Sequence, residues 1–245
     1  MTIVAQISGS SSAKNIMVKS NRASKSLLSA RITLDGCYQT GNTEKANVAG
    51  AVFLSAIDSI KEFSANTRFL YGSNDKTVNQ REFIAGLQYD YHPLMIFSPF
   101  ARFEYYNNEF QKIKGRFSGL VGIKYRYFVK PQILDYSISM ALIYDVERYE
   151  VDVNLPYKER LRISVRPKFK HNLADNIFLI AEVYYKPNIL RFDDFIVCGN
   201  VNMNYRFFKR GLFRLSYEYD YNNKPVTDGV RKTDSMLLAG LGIEF

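Results

Sequence analysis

From Arg116 to Tyr127 the chain alternates without a break. The odd positions, Phe117, Gly119, Val121, Ile123, Tyr125 and Tyr127, are uncharged, while Arg116, Ser118, Leu120, Gly122, Lys124 and Arg126 carry three cations. A strand turns successive side chains to opposite faces, so such a segment has one apolar face and one polar face. The split recurs with Phe83, Ala85, Leu87, Tyr89 and Tyr91 on one face, and with Phe213, Leu215, Tyr217, Tyr219 and Tyr221 on another. It closes the chain with Leu237, Ala239, Leu241, Ile243 and Phe245. These segments are strands, and a helix-based fold is excluded over most of the chain.

Strands are expected near 27–40, 45–58, 61–72, 80–92, 98–107, 115–129, 133–146, 158–171, 176–187, 194–208, 211–222 and 233–245. That makes twelve. The connections alternate between short turns, such as Asp58-Ser59, His92-Pro93, Lys130-Pro131, Asn172–Ala174 and Lys209–Gly211, and longer polar stretches. The longer ones are Gly72–Asn79, Asn107–Gly115, Asp145–Lys158, Lys186–Asp194 and Asn222–Thr233. An even number of long strands with short turns at one end and long loops at the other describes an all-β, single-domain, antiparallel up-and-down transmembrane barrel. A soluble sandwich also alternates, but its strands run only about 5–6 residues. Its outer face would be solvent-decorated, whereas the polar face here mixes Gly, Ser and Asn with charges of both signs. Tyr and Phe, which make up the whole 15 % aromatic content, gather towards the strand ends as interfacial girdles do, although Trp is absent. The barrel spans 27–245, both termini lie on the periplasmic side, and residues 1–26 form a polar lead-in with Ile3-Val4-Ala5 readable as a signal-peptide remnant at 1–5.

Several short motifs resemble the salt-induced outer-membrane protein family, a barrel family whose domain has no assigned function. They are Thr40-Gly41-Asn42-Thr43, Tyr71-Gly72, Pro99-Phe100-Ala101, Asn107-Asn108-Glu109-Phe110 and Gly122-Ile123-Lys124-Tyr125-Arg126. The resemblance implies the outer membrane of a Gram-negative bacterium and brings no catalytic residues. The terminal Phe245 is similar to the signal read by the barrel-assembly machinery.

With the apolar face towards lipid, even positions on most strands point inward. The expected lumen then holds thirteen cations: Arg31, Arg68, Arg102, Arg116, Lys124, Arg126, Arg160, Arg162, Arg166, Lys168, Lys170, Arg206 and Arg214. It holds nine acids: Asp35, Glu62, Glu82, Asp90, Glu104, Glu182, Glu218, Asp220 and Glu244, and thirteen less nine leaves four positive charges. Hairpin centres near 110 and 174 would set Glu104 opposite Arg116 and Arg166 opposite Glu182, with Arg68 and Glu82 near neighbours. Buried ions must be paired or hydrated, so the lumen reads either as an ion-pair plug or as a narrow, anion-favouring diffusion path. The run Arg160, Arg162, Arg166, Lys168 and Lys170, with no obvious acidic partners, is the expected basic ladder. A plugged barrel would instead act through its outer loops, chiefly Asp145–Lys158, on a protein partner.

Other chemistries find little support. Two cysteines and two histidines cannot build a Cys- or His-based metal site. His92 and His171 fall at the short-turn end with no nucleophile placed beside them, so neither an enzyme nor a cofactor is expected. The net charge, 33 − 24 = +9, invites nucleic acid, but alternation sends the cations and aromatics of Lys124-Tyr125-Arg126-Tyr127-Phe128 to opposite faces. Basic residues at the rims, including Lys209, Arg210, Lys224, Arg231 and Lys232, suit outer-membrane lipid phosphates and lipopolysaccharide. Cys37 and Cys198 are expected as separate free thiols on non-adjacent strands, and Pro167 as a bulge or weak seam in strand eight.

Overall fold

Twelve strands close into one ring in a computed structural model that describes residues 27–39, 45–58, 60–74, 77–93, 95–109, 113–130, 134–149, 157–224 and 232–245. They are β1 (Leu27–Gln39), β2 (Lys45–Ile57), β3 (Lys61–Asn74), β4 (Thr77–Tyr91), β5 (Phe97–Asn108) and β6 (Ile113–Lys130). The ring continues with β7 (Leu134–Tyr149), β8 (Tyr157–Asn172), β9 (Ile177–Pro187), β10 (Phe195–Arg206), β11 (Gly211–Asn222) and β12 (Thr233–Glu244). Each strand pairs antiparallel with its sequence neighbours, and β1 pairs with β12. The strand bounds agree with the alternation to within about three residues. No helix is long and apolar enough to cross a membrane among the described residues; the strands do so instead. The lead-in 1–26 lies outside the described residues.

The exposed face is the apolar one. Leu34, Val52, Leu54, Leu87, Val121, Leu142 and Leu241 stand on the outside, while Asp35, Asn66, Arg68, Glu82, Ser118 and Asp220 are buried within. A soluble protein would invert this arrangement; a lipid-bathed barrel requires it. Cross-strand aromatic pairs border the aliphatic band. At the turn end Phe63 meets Tyr89 at 4.8 Å, Phe97 meets Tyr125 at 5.1 Å and Tyr136 stacks on Phe169 at 4.7 Å between ring centroids. At the loop end Tyr105 meets Phe117 at 5.1 Å and Phe195 meets Tyr221 at 5.9 Å. Phe and Tyr thus make both girdles without Trp.

The strands run further than expected at the loop end. β3 reaches Asn74 and β4 starts at Thr77, with a bulge at Gly72/Ser73, so the third connection is short. β7 reaches Tyr149, which removes Asp145, Glu147, Arg148 and Tyr149 from the loop in which they were expected. The longest connection is instead 223–232, after β11. Residues 150–156 lie outside the described residues.

Two walls are specialised. At the closure, β12 approaches β1 so closely that a Cβ on Gly240 would run into the Leu34 carbonyl and the Asp35 backbone, which is why glycine stands there. The chain end completes this seam: the Phe245 amide donates to the Ala30 carbonyl at 2.9 Å, with its ring exposed beneath the Arg210 guanidinium. Between β8 and β9 the ladder pairs Val165 with Tyr185 and resumes at Lys168 with Glu182, skipping Arg166 and Pro167. Pro167 has no N–H to donate, so the expected weak seam is an interrupted ladder. Outside it lies an apolar hollow of about 470 Å³ between Tyr127, Pro167, Phe169 and Val183.

Candidate functional site: the charged lumen

All thirteen side chains singled out as pore-lining, Arg68, Arg102, Arg116, Lys124, Arg126, Arg160, Arg162, Arg166, Lys168, Glu82, Glu104, Glu182 and Glu218, sit on inward positions of their strands. Strand parity alone puts them there. Their partners, however, come from tertiary register: two expected pairings change, and the third, Arg68 near Glu82, holds as a diagonal neighbour. Glu104 lies opposite Ser118, and Arg116 opposite Tyr106. Glu182 lies opposite Lys168 rather than Arg166. Glu82 lies opposite Leu70, diagonal to Arg68. The first two hairpins are centred one residue later than expected, near 111 and 175, which moves each partner by two positions while keeping it on the same face.

The outer half of the lumen is filled by ion pairs. Glu147 is fully buried and bridges Arg116 at 2.6 Å and Arg160 at 2.8 Å, with the Tyr149 hydroxyl donating to the same carboxylate. One layer inward, Arg162 reaches Asp145 at 3.3 Å and Asp194 at 3.4 Å, while Ser118 donates to Asp145 at 2.5 Å. On the opposite wall Arg68 pairs with Glu218 at 3.0 Å across the barrel, and Arg214 pairs with Asp35. Glu82 accepts from Asn108 at 3.3 Å and from the Tyr106 hydroxyl at 3.4 Å. One void in this half, lined among the described residues by Glu104, Arg116, Asp145, Arg162, Lys186 and others, is about 20 Å³, room for about one water.

This corrects the expected ladder on β8. Arg160 and Arg162 have acidic partners, and those partners are Asp145, Glu147 and Asp194. None of the three was among the expected lumen acids, and Lys186 was missing from the cations. The signal for two of them was present: the alternation Ala141, Ile143, Asp145, Glu147, Tyr149 continues through the segment read as loop. Asp194 precedes β10 and reaches the lumen only because the chain turns there, with its backbone N–H donating to the Arg191 carbonyl at 2.8 Å.

The turn-side half differs. A cavity of about 70 Å³ opens there, lined by the cations Arg102, Lys124, Arg126, Arg166 and Lys168 and by the acids Glu62, Asp90 and Asp135, a balance of five less three. Lys124 pairs with Asp90 at 2.7 Å, and Arg102 with Glu104 at 2.7 Å. A Cβ on Gly86 would meet the Arg102 guanidinium at 2.5 Å, so glycine lets this side chain lie flat on β4. Arg166 donates to Ser139 at 3.0 Å and to the Tyr184 hydroxyl at 3.2 Å, both neutral. Nearest the turns, Glu244 takes Arg206 at 2.7 Å and also Arg31.

The remaining expectations are placed plainly. His92 packs on Tyr91 at 4.2 Å and His171 on Phe169 at 5.8 Å, both at the turn end. Cys198 is buried and unbridged; the Cys37 side chain lies outside the described residues.

The fold and this lumen define a porin-like, outer-membrane-type barrel, a class shared with solved proteins. The chain is similar to an outer-membrane channel from Pseudomonas putida F1, with a TM-score of 0.52 at 9 % identity over 91 % of this chain and 97 % of that one. It is similar to the NanC porin, with a TM-score of 0.50 at 9 % identity over 89 % of this chain and 99 % of that one. At such identities the likeness is one of fold. No curated protein sequence matches the chain. Residues 32–245 match the profile of the family described as "Protein of unknown function, DUF481", and the chain belongs to that family. The match carries the unassigned function expected from the motifs but no salt-induced designation.

Proposed function

We propose that this protein is an envelope barrel of the Gram-negative outer membrane. Its lumen is a hydrated, cation-rich vestibule on the periplasmic side, closed towards the outside by a salt-bridged plug. The carrying observation is the fully buried Glu147 between Arg116 and Arg160, stacked on Arg162 with Asp145 and Asp194, beside a void of about 20 Å³ that Arg116, Asp145 and Arg162 help to line. A path this narrow passes water and small ions when the plug loosens, not oligomeric solutes, and the five cations against three acids lining the vestibule give it an anion preference. The outer face meets lipid and lipopolysaccharide, and the exposed Phe245 ring serves the assembly machinery.

Planar-bilayer conductance of refolded protein tests this. The wild type is expected to insert and stay nearly silent, whereas Glu147→Gln, which leaves Arg116 and Arg160 without their shared counter-charge, is expected to show discrete anion-biased steps. Large, steady steps from the wild type would overturn the plug.

A second reading, in which a protein partner binds the outer loops, is favoured by Leu190 and Phe192. They stand 82 % and 64 % exposed on the connection between β9 and β10, beside the Lys224–Asp193 ion pair. Replacing Leu190 and Phe192 with serine, which leaves Asp194 and its pairing with Arg162 in place, would abolish partner binding and leave any conductance unchanged in kind.

A further inference from the structure

The inner wall of the turn-side cavity carries an arrangement that the plug does not explain. Arg126 of β6 lies opposite Ser137 of β7, and Ser137 lies opposite Lys168 of β8. One step towards the plug, Lys124 lies opposite Ser139, and Ser139 opposite Arg166. Two rows thus stack on one wall, each a serine hydroxyl flanked by two cations, and all six side chains line the same space. Like charges facing a common cavity repel unless something neutralises them. Asp90, from the facing wall, takes Lys124 at 2.7 Å. Arg166 is hydrogen-bonded to neutral Ser139 and Tyr184. Arg126 is buried, at 9 % exposure, with its Nε unsatisfied, and neither it nor Lys168 forms an ion pair among the described residues.

Three acids complete the account. Asp135 borders the cavity on the turn side of the lower row, opposite Lys170, and Glu62 looks in from β3. Glu182, opposite Lys168, lies outside the cavity lining and accepts from Asn200 at 3.1 Å. None is within ion-pair distance of Arg126 or Lys168. The space between is about 70 Å³, enough for several waters or one small tetrahedral or planar oxyanion.

We infer that this wall is a binding site for a small oxyanion of the phosphate, sulfate or carboxylate type, held by Arg126 and Lys168 around the Ser137 hydroxyl, with Arg166 above. Guanidinium and ammonium donors on either side of a hydroxyl form charge-assisted hydrogen bonds to such a group from three directions. The inference deepens the vestibule reading, because the closed outer half leaves the periplasmic mouth as the way in.

The test is calorimetric titration of inorganic phosphate, then sulfate and acetate, into detergent-refolded protein whose heat-dependent gel shift shows an intact barrel. Saturable one-site binding is expected, about tenfold weaker in Lys168→Gln and in Arg126→Gln, since each loses one charged donor. Ser137→Ala is expected to weaken it less, and Arg81→Gln, at the exposed rim, not at all. If Arg126→Gln does not refold, Lys168→Gln and Ser137→Ala carry the test. Absence of saturable binding by the wild type, or affinity unchanged in Lys168→Gln, overturns the site. Failure of the plug would be seen separately, as steady wild-type conductance, while this titration still reports on the wall.

Discussion

The two halves of the lumen are built from the same residue types on the same strands and come out opposite. On β8, Arg160 and Arg162 are locked by Glu147, Asp145 and Asp194, while Arg166 and Lys168, two turns of the pleat away, meet only neutral groups or no partner at ion-pair distance. The difference comes from β7. Towards the loops its inward face reads Asp145, Glu147; towards the turns it reads Ser137, Ser139. Acids opposite a row of cations make a plug, because each charge loses its hydration and gains a partner. Serines opposite the same row leave cations that still need an anion or water, and the space to hold it.

The comparison can be broken most forcefully at Glu147. Replacing it with Ala strands two buried guanidinium groups, a loss of about 3–5 kcal/mol for a disrupted buried pair. The temperature of the heat-dependent gel shift should fall markedly. Arg160→Gln should act in the same direction, whereas Arg126→Gln, which breaks no ion pair, should leave that temperature nearly unchanged; equal effects would erase the distinction between the halves.

A middling effect is expected where polarity rather than charge matters. Glu82→Gln keeps an acceptor for Asn108 and Tyr106, so stability should change by less than about 1.5 kcal/mol, whereas Glu82→Ala removes the carboxylate that accepts from both and should lose about 1–3 kcal/mol. Denaturant midpoints of the two variants check the ordering. At the β8–β9 wall, Pro167→Val restores a donor at the gap and should slow hydrogen exchange of the neighbouring amides, a gain of about 1 kcal/mol at most.

The smallest effect lies outside the membrane. Asp58, in the turn after β2, accepts from the Ile60 and Lys61 amides at 2.7 and 2.8 Å, and these bonds hold its carboxyl below the usual aspartate range. A carboxyl depressed in this way contributes stability that is present above its unfolded-state pKa and lost as the pH falls through the folded value. Asp58→Asn should therefore remove a slight acid-side dependence of the gel-shift temperature and change little at neutral pH.

Much of this molecule is legible in its sequence. Alternation places twelve strands, and parity turns Arg68, Arg116, Glu82 and Glu218 inward, because a strand has two faces and lipid accepts only the apolar one. The site is less legible. Glu104 and Arg116 were readable as lumen residues but not as neighbours of Ser118 and Tyr106, because a bulge at Tyr106/Asn108 shifts the hairpin. Asp145 and Glu147 were hidden because charged residues near a strand end look like loop, although the period of two runs on to Tyr149.

The sequence by itself thus determined the faces: period-two patterning is a local property, and burial in lipid against burial in a lumen follows from it directly. Only the tertiary structure decided which charges meet. Register is set by turns and bulges, so one residue in the centre of a hairpin moves every cross-strand partner by two. Pairs such as Arg68–Glu218 and Arg214–Asp35 join strands far apart in sequence, and no local pattern records that proximity. The plug and the open wall beside it exist because closure of the ring brings those residues within reach of a hydrogen bond.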